Sequence, residues 1–223
     1  LTEVELVDIW FRYPNTAMFS LRGVSVTFRS GEFTVVRGPN GAGKTTLLKV
    51  ASLIYRPSAG RVLVDGGDYW SLDEGRRLGK RREVVYVHER PVLIRGRVLD
   101  NVVYGLRLRG VGEGVAIETC REVMEELQLW ELRNVDVRKL SAGQAQLVAV
   151  ARALVLEPRL LYLDEPLAHL DEERRLLLLQ ALERARERGT GVVIASHQDL
   201  GGLGVDRVVM LSEGKVVRNL YLR

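Results

Sequence analysis

The chain has 223 residues, 46% apolar and 28% charged, with a formal net charge of +4. That length suits one domain with subdomains, and the composition is that of an ordinary globular protein rather than a disordered or fibrous one. No apolar run approaches the ~18 to 20 residues of a membrane-spanning helix, and a single cysteine, Cys120, excludes an internal disulfide and fits a reducing, cytoplasmic setting.

The opening residues, LTEVELVDIW, have no basic region followed by an apolar core, so no signal peptide is expected. They also lack a starting Met, so further residues upstream are expected. Val24 to Phe28 (VSVTF) alternates like a half-buried strand, and Ser30-Gly31-Glu32 turns it into FTVVRG, a second strand. Thr45 to Ser52 is predicted as a helix. Gly60 to Gly66 (GRVLVDG) is a short strand closed by turn residues. Arg76 to Arg82 (RRLGKRR) is the most basic stretch; a solvated helix or loop face explains it better than a nucleic-acid patch. Glu83 to His88 (EVVYVH) is another strand.

Residues 98 to 157 are mostly helical, and AIETCREVMEELQLW (116–130) carries apolar residues at helical spacing. Leu160 to Glu165 (LLYLDE) is a continuous apolar strand of the kind found in parallel sheets covered on both faces. Glu172 to Gly189 is an amphipathic helix with acid at its start, and with Arg188 before a stopping Gly189. GVVIAS is a further buried strand. The chain ends in a predicted hairpin, DRVVMLSEGKVVRNLYL, turning at Glu213-Gly214. Strands alternate with helices around a helical insert, so the fold class is α/β.

Three stretches carry chemistry. GPNGAGKT fits G-x-x-x-x-G-K-[ST] at Gly38, Gly43, Lys44 and Thr45, between a predicted strand and a predicted helix. Glycines let successive backbone N–H groups of Gly38, Asn40, Gly41, Ala42, Gly43 and the helix start at Thr46 surround one anion, while Pro39 shapes the same loop without an N–H to donate. The helix N-terminus adds partial positive charge. Lys44 would reach the β- and γ-phosphates of a nucleoside triphosphate, and Thr45 would hold Mg²⁺. In LLYLDEP, Asp164 at the end of a core strand is a candidate second Mg²⁺ partner. Glu165 is a candidate for orienting and polarising a water that attacks the γ-phosphate. An acidic strand end that merely caps the next helix is the alternative, and the Asp-Glu pair downstream of such a loop favours hydrolysis. The third stretch is KLSAGQAQLVAVARAL (139–154), where Ser141 caps a helix.

Here the chain resembles the ATP-binding cassette (ABC) family, the nucleotide-binding subunits of ABC transporters. LSAGQ differs at Ala142 from the family signature, LSGGQ. The resemblance implies an α/β P-loop ATPase core with a mixed, mostly parallel sheet, an antiparallel β subdomain and a helical subdomain. It implies one domain over 1–223, with the core in 1–90 and 158–223 and the helical subdomain in 91–157. It further implies that Ser141, Ala142, Gly143 and Gln144 of one subunit close over ATP held by another, with Asp171 in LAHLD facing the partner. Tyr13 lies where the family has an aromatic that stacks on adenine, with Trp10 and Phe11 near enough to compete. His197 in IASHQ would donate to the γ-phosphate, and so joins Lys44 and Glu165 as a catalytic candidate. Two departures stand out. Leu147 replaces an arginine, an exchange expected to weaken local helical packing or coupling. Glu89, next to His88, takes the place of the usual glutamine and becomes a candidate Mg²⁺ ligand.

The implied function is hydrolysis of MgATP by a homodimer that drives a separate integral membrane permease, and through it works with a substrate-binding protein. That would place the chain at the cytoplasmic face of the cell membrane. Residues 90 to 140 would touch the permease. VLDNVVYGLRLRG (98–110) is similar to importers of small ions and amino acids, so an oxyanion such as tungstate, molybdate or phosphate is a candidate cargo. A soluble, non-transport ABC ATPase acting on nucleic acid or ribosomes is the alternative. Such members carry long insertions or two cassettes, which this chain lacks, so nucleic acid is not expected as a partner.

Overall fold

The computed structural model describes residues 2–198, 200 and 204–222. Two sheets organise it. The larger has six strands in the order β10-β9-β3-β8-β7-β6. Its members are β3 (Phe33–Arg37), β6 (Val84–Val87), β7 (Leu160–Asp164), β8 (Gly191–Ala195), β9 (Arg207–Ser212) and β10 (Lys215–Tyr221). All pair in parallel except β10, which returns antiparallel on β9. The smaller is an antiparallel sheet ordered β2-β1-β4-β5, from β1 (Glu3–Phe11), β2 (Leu21–Arg29), β4 (Ala59–Val64) and β5 (Gly67–Asp68). The α/β class, the mixed and mostly parallel sheet and the antiparallel sheet are as expected.

Strands β7 and β8 are buried at every residue. Their side chains alternate between two apolar cores, as a period of two demands. Leu161, Leu163, Val192 and Ile194 join a core shared with α3 (Val98–Leu108), α4 (Glu113–Glu126), α5 (Ala142–Leu154) and α6 (Glu172–Glu187). Leu160, Tyr162, Val193 and Ala195 join the opposite core, built with α1 (Lys44–Ala51) and the antiparallel sheet. The sheet is thus covered on both faces, as an apolar parallel strand requires. Buried Arg207 on β9 ties the two sheets together, bonding Asn219 of β10 and the Thr27 carbonyl of β2, with Glu32 3.5 Å away.

Three local features have clear causes, and the last two differ from the expectations. Strand β1 escapes a simple alternation because Asp8, at φ 50°, is an extra residue in the ladder. Val4 and Leu6 face the core before it, and Ile9 and Phe11 after it. The helix expected over 116–130 runs from Glu113 to Glu126 instead. Gln128 adopts a left-handed φ of 54°, and Leu129 N–H bonds back to the Met124 carbonyl at 2.7 Å, closing the helix end while Leu127 and Leu129 stay buried. Leu147 corrects the packing half of its expectation: it is 1% exposed and packs in the core from the buried face of α5, so local packing is not weak there. The basic stretch forms α2 (Glu74–Arg82), a helix with no buried residue.

The sole cysteine, Cys120, lies fully buried in α4. Burial pushes its thiol up to about 11. At pH 8 the native chain is expected to react with iodoacetamide at least ~10-fold more slowly than the chain in 6 M guanidinium, since only the thiolate attacks. Equal alkylation rates, followed by mass spectrometry, would show that α4 does not shield this residue.

Candidate active site

Strand β3 ends at Arg37 and the chain turns through residues 38–43 before α1 starts at Lys44. The turn is possible only with glycine at two crowded points. A side chain at Gly38 would collide with the Leu211 carbonyl, and one at Gly43 (φ 101°) would come within 2.6 Å of the Ser20 carbonyl. The β9–β10 turn braces the loop from behind, Gly214 N–H donating to the Ala42 carbonyl at 3.0 Å. Glu213 and Gly214 both have positive φ (47° and 76°), the signature of a tight hairpin turn.

Lys44 is only 8% exposed and folds back over the loop, donating to the carbonyls of Gly38 (2.8 Å) and Pro39 (3.4 Å). Thr46 is buried and its hydroxyl pairs with the Tyr13 hydroxyl at 3.0 Å. The Tyr13 ring meets Phe11 and Tyr55 edge-on. Of its two rivals, Phe11 is a core residue stacked on Tyr55, and Trp10 is held by Asp8 and Phe19.

At the end of β7, Asp164 is 2% exposed and its Oδ2 accepts a hydrogen bond from the Tyr86 hydroxyl at 3.0 Å. Burial, and then the charge of Asp164, push the Tyr86 hydroxyl well above its usual range, so it remains a donor. Glu165 turns off the strand at φ 44°, a left-handed conformation uncommon outside glycine. Its N–H is held by the Ala195 carbonyl at 2.9 Å. Its carboxylate spans two cations or potential cations: Oε2 lies 3.0 Å from His197 Nδ1, and Oε1 lies 3.9 Å from Lys44 Nζ. Glu165 is largely buried at 15% exposure, whereas His197 is 63% exposed.

These groups face one cleft of about 470 Å³. Residues 40–46, Tyr13, Glu89, Asp164, Glu165 and His197 all contribute to its wall. Gly38 and Pro39 lie at its root, as acceptors for Lys44. Sequence reasoning passed over Ser20, which also lines the cleft, and Tyr86. Neither belongs to a local motif, and only the pairing of β6 with β7 reveals the second.

Ser141, Ala142, Gly143, Gln144 and Asp171 are not in the cleft wall. Ser141 caps α5, its Oγ accepting from Gln144 N–H at 3.2 Å while Gln144 Oε1 accepts from Ser141 N–H at 2.9 Å. Ser141 and Ala142 are exposed. Gly143 packs so closely on the 166–171 loop that an added side chain would lie 2.9 Å from the His169 carbonyl. Asp171 caps α6 through Arg174 N–H and pairs with the Arg174 guanidinium. The signature and Asp171 therefore share one surface, separate from the cleft.

The sequence pattern of the ABC transporter family matches residues 21–168. A probable anion import ATP-binding protein of Haloferax volcanii is 37% identical over 190 residues, 79% of this chain and 66% of that protein. A phosphate import ATP-binding protein of Natronomonas pharaonis, PstB 2, is 36% identical over 88% of this chain and 73% of its own length. The tungstate uptake system ATP-binding protein TupC of Peptoclostridium acidaminophilum is 35% identical over 86% and 87%. The chain thus spans slightly under two thirds of the first of these relatives. Among solved structures, a dimeric post-hydrolysis state of the ATP-binding cassette MJ0796, bound to ADP and Pi, superposes with a TM-score of 0.90 at 28% identity, covering 99% of both chains. A glycine loop with its lysine, a strand-end Asp-Glu pair, a helix-capping signature and this whole-chain likeness place the protein in the ABC transporter family, as an ATP-binding cassette.

Proposed function

We propose that this chain is the ATP-hydrolysing subunit of an ABC importer, working as a head-to-tail homodimer beneath an integral membrane permease. One observation carries the reading. The phosphate loop, the Asp-Glu pair and His197 meet in a single cleft, while the exposed N-terminus of α5 with Ser141 stands apart from it. A chain so arranged holds ATP with one surface and offers a second anion-binding helix end with another. Two copies related by a two-fold axis satisfy both surfaces twice.

In this reading Tyr13 stacks on adenine and the 38–46 loop cradles the phosphates through backbone N–H groups. Lys44 leaves its carbonyl partners to donate to the β- and γ-phosphates. Ser141, Gly143 and the neighbouring Ala142 and Gln144 of a second copy close on the γ-phosphate, with Asp171 at the subunit contact. Glu165 takes a proton from the attacking water. His197, already hydrogen-bonded to Glu165, keeps that carboxylate in place and reaches toward the γ-phosphate.

The donors suit Mg²⁺. Among the described residues no group of three or more His, Cys, Asp and Glu is placed to hold a metal. The Thr45 hydroxyl and the buried Asp164 carboxylate on one cleft wall are the sparse oxygen set of an ion that arrives with phosphates and water. Glu89, on the same wall, supplies a further carboxylate. When bound, the ion neutralises charge on the β- and γ-phosphate oxygens.

No helix of the described residues is long and apolar enough to cross a membrane, and in this reading a separate permease supplies the path. A groove of about 520 Å³ beside the cleft suits a permease segment. Val92, Ile94 and Tyr104 on its wall are exposed apolar residues, and His88 on that wall is followed directly by Glu89 in the cleft. Residues 91–157 then act as the arm that carries docking to the core of 1–90 and 158–223. The chain works from the cytoplasmic face of the membrane, with a substrate-binding protein reached through the permease. The named cargoes of the relatives, anions, phosphate and tungstate, favour a small oxyanion.

Glu165→Gln keeps the shape of the side chain and removes the base. ATP turnover is expected to fall ~10²- to 10⁴-fold with ATP binding retained, and an ATP-bound dimer should accumulate on size-exclusion chromatography. Turnover within threefold of wild type would move the base elsewhere.

Ser141→Arg places a bulky cation on the exposed signature surface and leaves the cleft intact. Nucleotide binding to the monomer is expected to survive, while ATP-driven dimerisation and hydrolysis fail. Full-rate hydrolysis that is independent of protein concentration would rule out the two-subunit site.

A further inference from the structure

We propose that Tyr86 is a positioning residue for Asp164, fixing the plane of that carboxylate so that its second oxygen is held ready for the Mg²⁺ shell; this rests on the ATPase reading above. The pairing of β6 with β7 creates the arrangement. Tyr86 lies opposite Tyr162 in a parallel register, two positions short of Asp164. Residues 162 and 164 share a face of β7, so a long side chain at 86 reaches diagonally along that face. Its hydroxyl meets Asp164 Oδ2 at 3.0 Å. No shorter side chain at 86 spans that diagonal, and phenylalanine spans it without the donor.

The geometry matters because an aspartate carboxylate turns easily about its terminal torsion. A buried carboxylate with one oxygen tied has only one orientation to offer, which lowers the entropy lost on binding an ion. Groups that orient a metal ligand in this way are typically worth roughly 10- to 100-fold in metal affinity. Tyr86 also lines the apolar groove beside the cleft. The same residue therefore touches both the surface offered for docking and the ligand that the ion needs.

The test uses the full chain carrying Glu165→Gln, so that nucleotide is not consumed, with and without Tyr86→Phe. A fluorescent ATP analogue is titrated first without Mg²⁺ and then with increasing Mg²⁺. Analogue affinity without Mg²⁺ is expected to agree within about twofold. The Mg²⁺ concentration at half effect is expected to rise about tenfold or more in Tyr86→Phe. Adding Asp164→Asn should abolish the difference between Tyr and Phe at 86. Superimposable Mg²⁺ curves, or shifts from the two substitutions that simply add, overturn the proposal. A parent that binds the analogue with no Mg²⁺ response overturns the ATPase reading itself, which separates the two failures. If Tyr86→Phe does not fold, 3-fluorotyrosine at position 86 keeps ring and hydroxyl. Its ¹⁹F line should then shift when Mg²⁺ is added to the nucleotide complex, and an unmoved line overturns the proposal.

Discussion

Parallel pairing of β3, β8 and β7 is the constraint on which the rest depends. Val36 lies opposite Ala195, and Ala195 lies opposite Asp164, so the three strands end at one level. Each then releases a different functional segment at that level: the phosphate loop after β3, Glu165 after β7, His197 after β8. Ligand sites in open α/β sheets form beyond the carboxyl ends of the strands for this reason. A one-residue slip in either pairing would turn every side chain of a strand to the other face and scatter the cleft. Burial prevents the slip. Both faces of β7 and β8 pack in apolar cores, and neither face tolerates exchange with a charged strand end.

Unusual backbone conformations occur at two of these strand ends. Glu165 adopts a left-handed conformation, and Gly43 occupies one that a larger residue could reach only by displacing the Ser20 carbonyl. Glycine adopts its conformation freely, whereas the left-handed one of Glu165 costs on the order of 1 to 3 kcal/mol and persists where surrounding contacts over-determine it. The contacts are visible: Ala195 holds the Glu165 N–H, and Gly214 holds the loop at Ala42. The result is a carboxylate placed between His197 and Lys44.

The edge strand β6 has two roles. Tyr86 and His88 stand on the groove wall, Glu89 stands on the cleft wall, and Tyr86 bonds Asp164. Four consecutive residues thus join an apolar outer surface to the acidic interior of the cleft. The helices α3 and α5 that complete the groove share an apolar core with the sheet, so a force on the groove meets a packed body rather than a loose arm.

Much of this was legible in the sequence because it is local. The glycine loop, the apolar strands ending in Asp164-Glu165, the Ser141 cap and the Glu213-Gly214 turn each depend on residues only a few positions apart. Their backbone requirements leave little choice of residue type. Periodicity does not reveal a change of geometry within a run of apolar residues. Asp8 adds a residue to β1, and Gln128 ends α4 although the leucines around it continue the helical pattern. What the tertiary structure alone decided is partnership across the chain. Leu147 is buried core, because burial depends on which helix covers which sheet face. Tyr86 was invisible as a site residue, because its role comes from standing beside Tyr162, 76 positions away, in one particular register. Short-range conformational preferences are written in neighbouring residues, whereas strand register is settled by the simultaneous burial of residues far apart in the chain, and no single stretch contains that information.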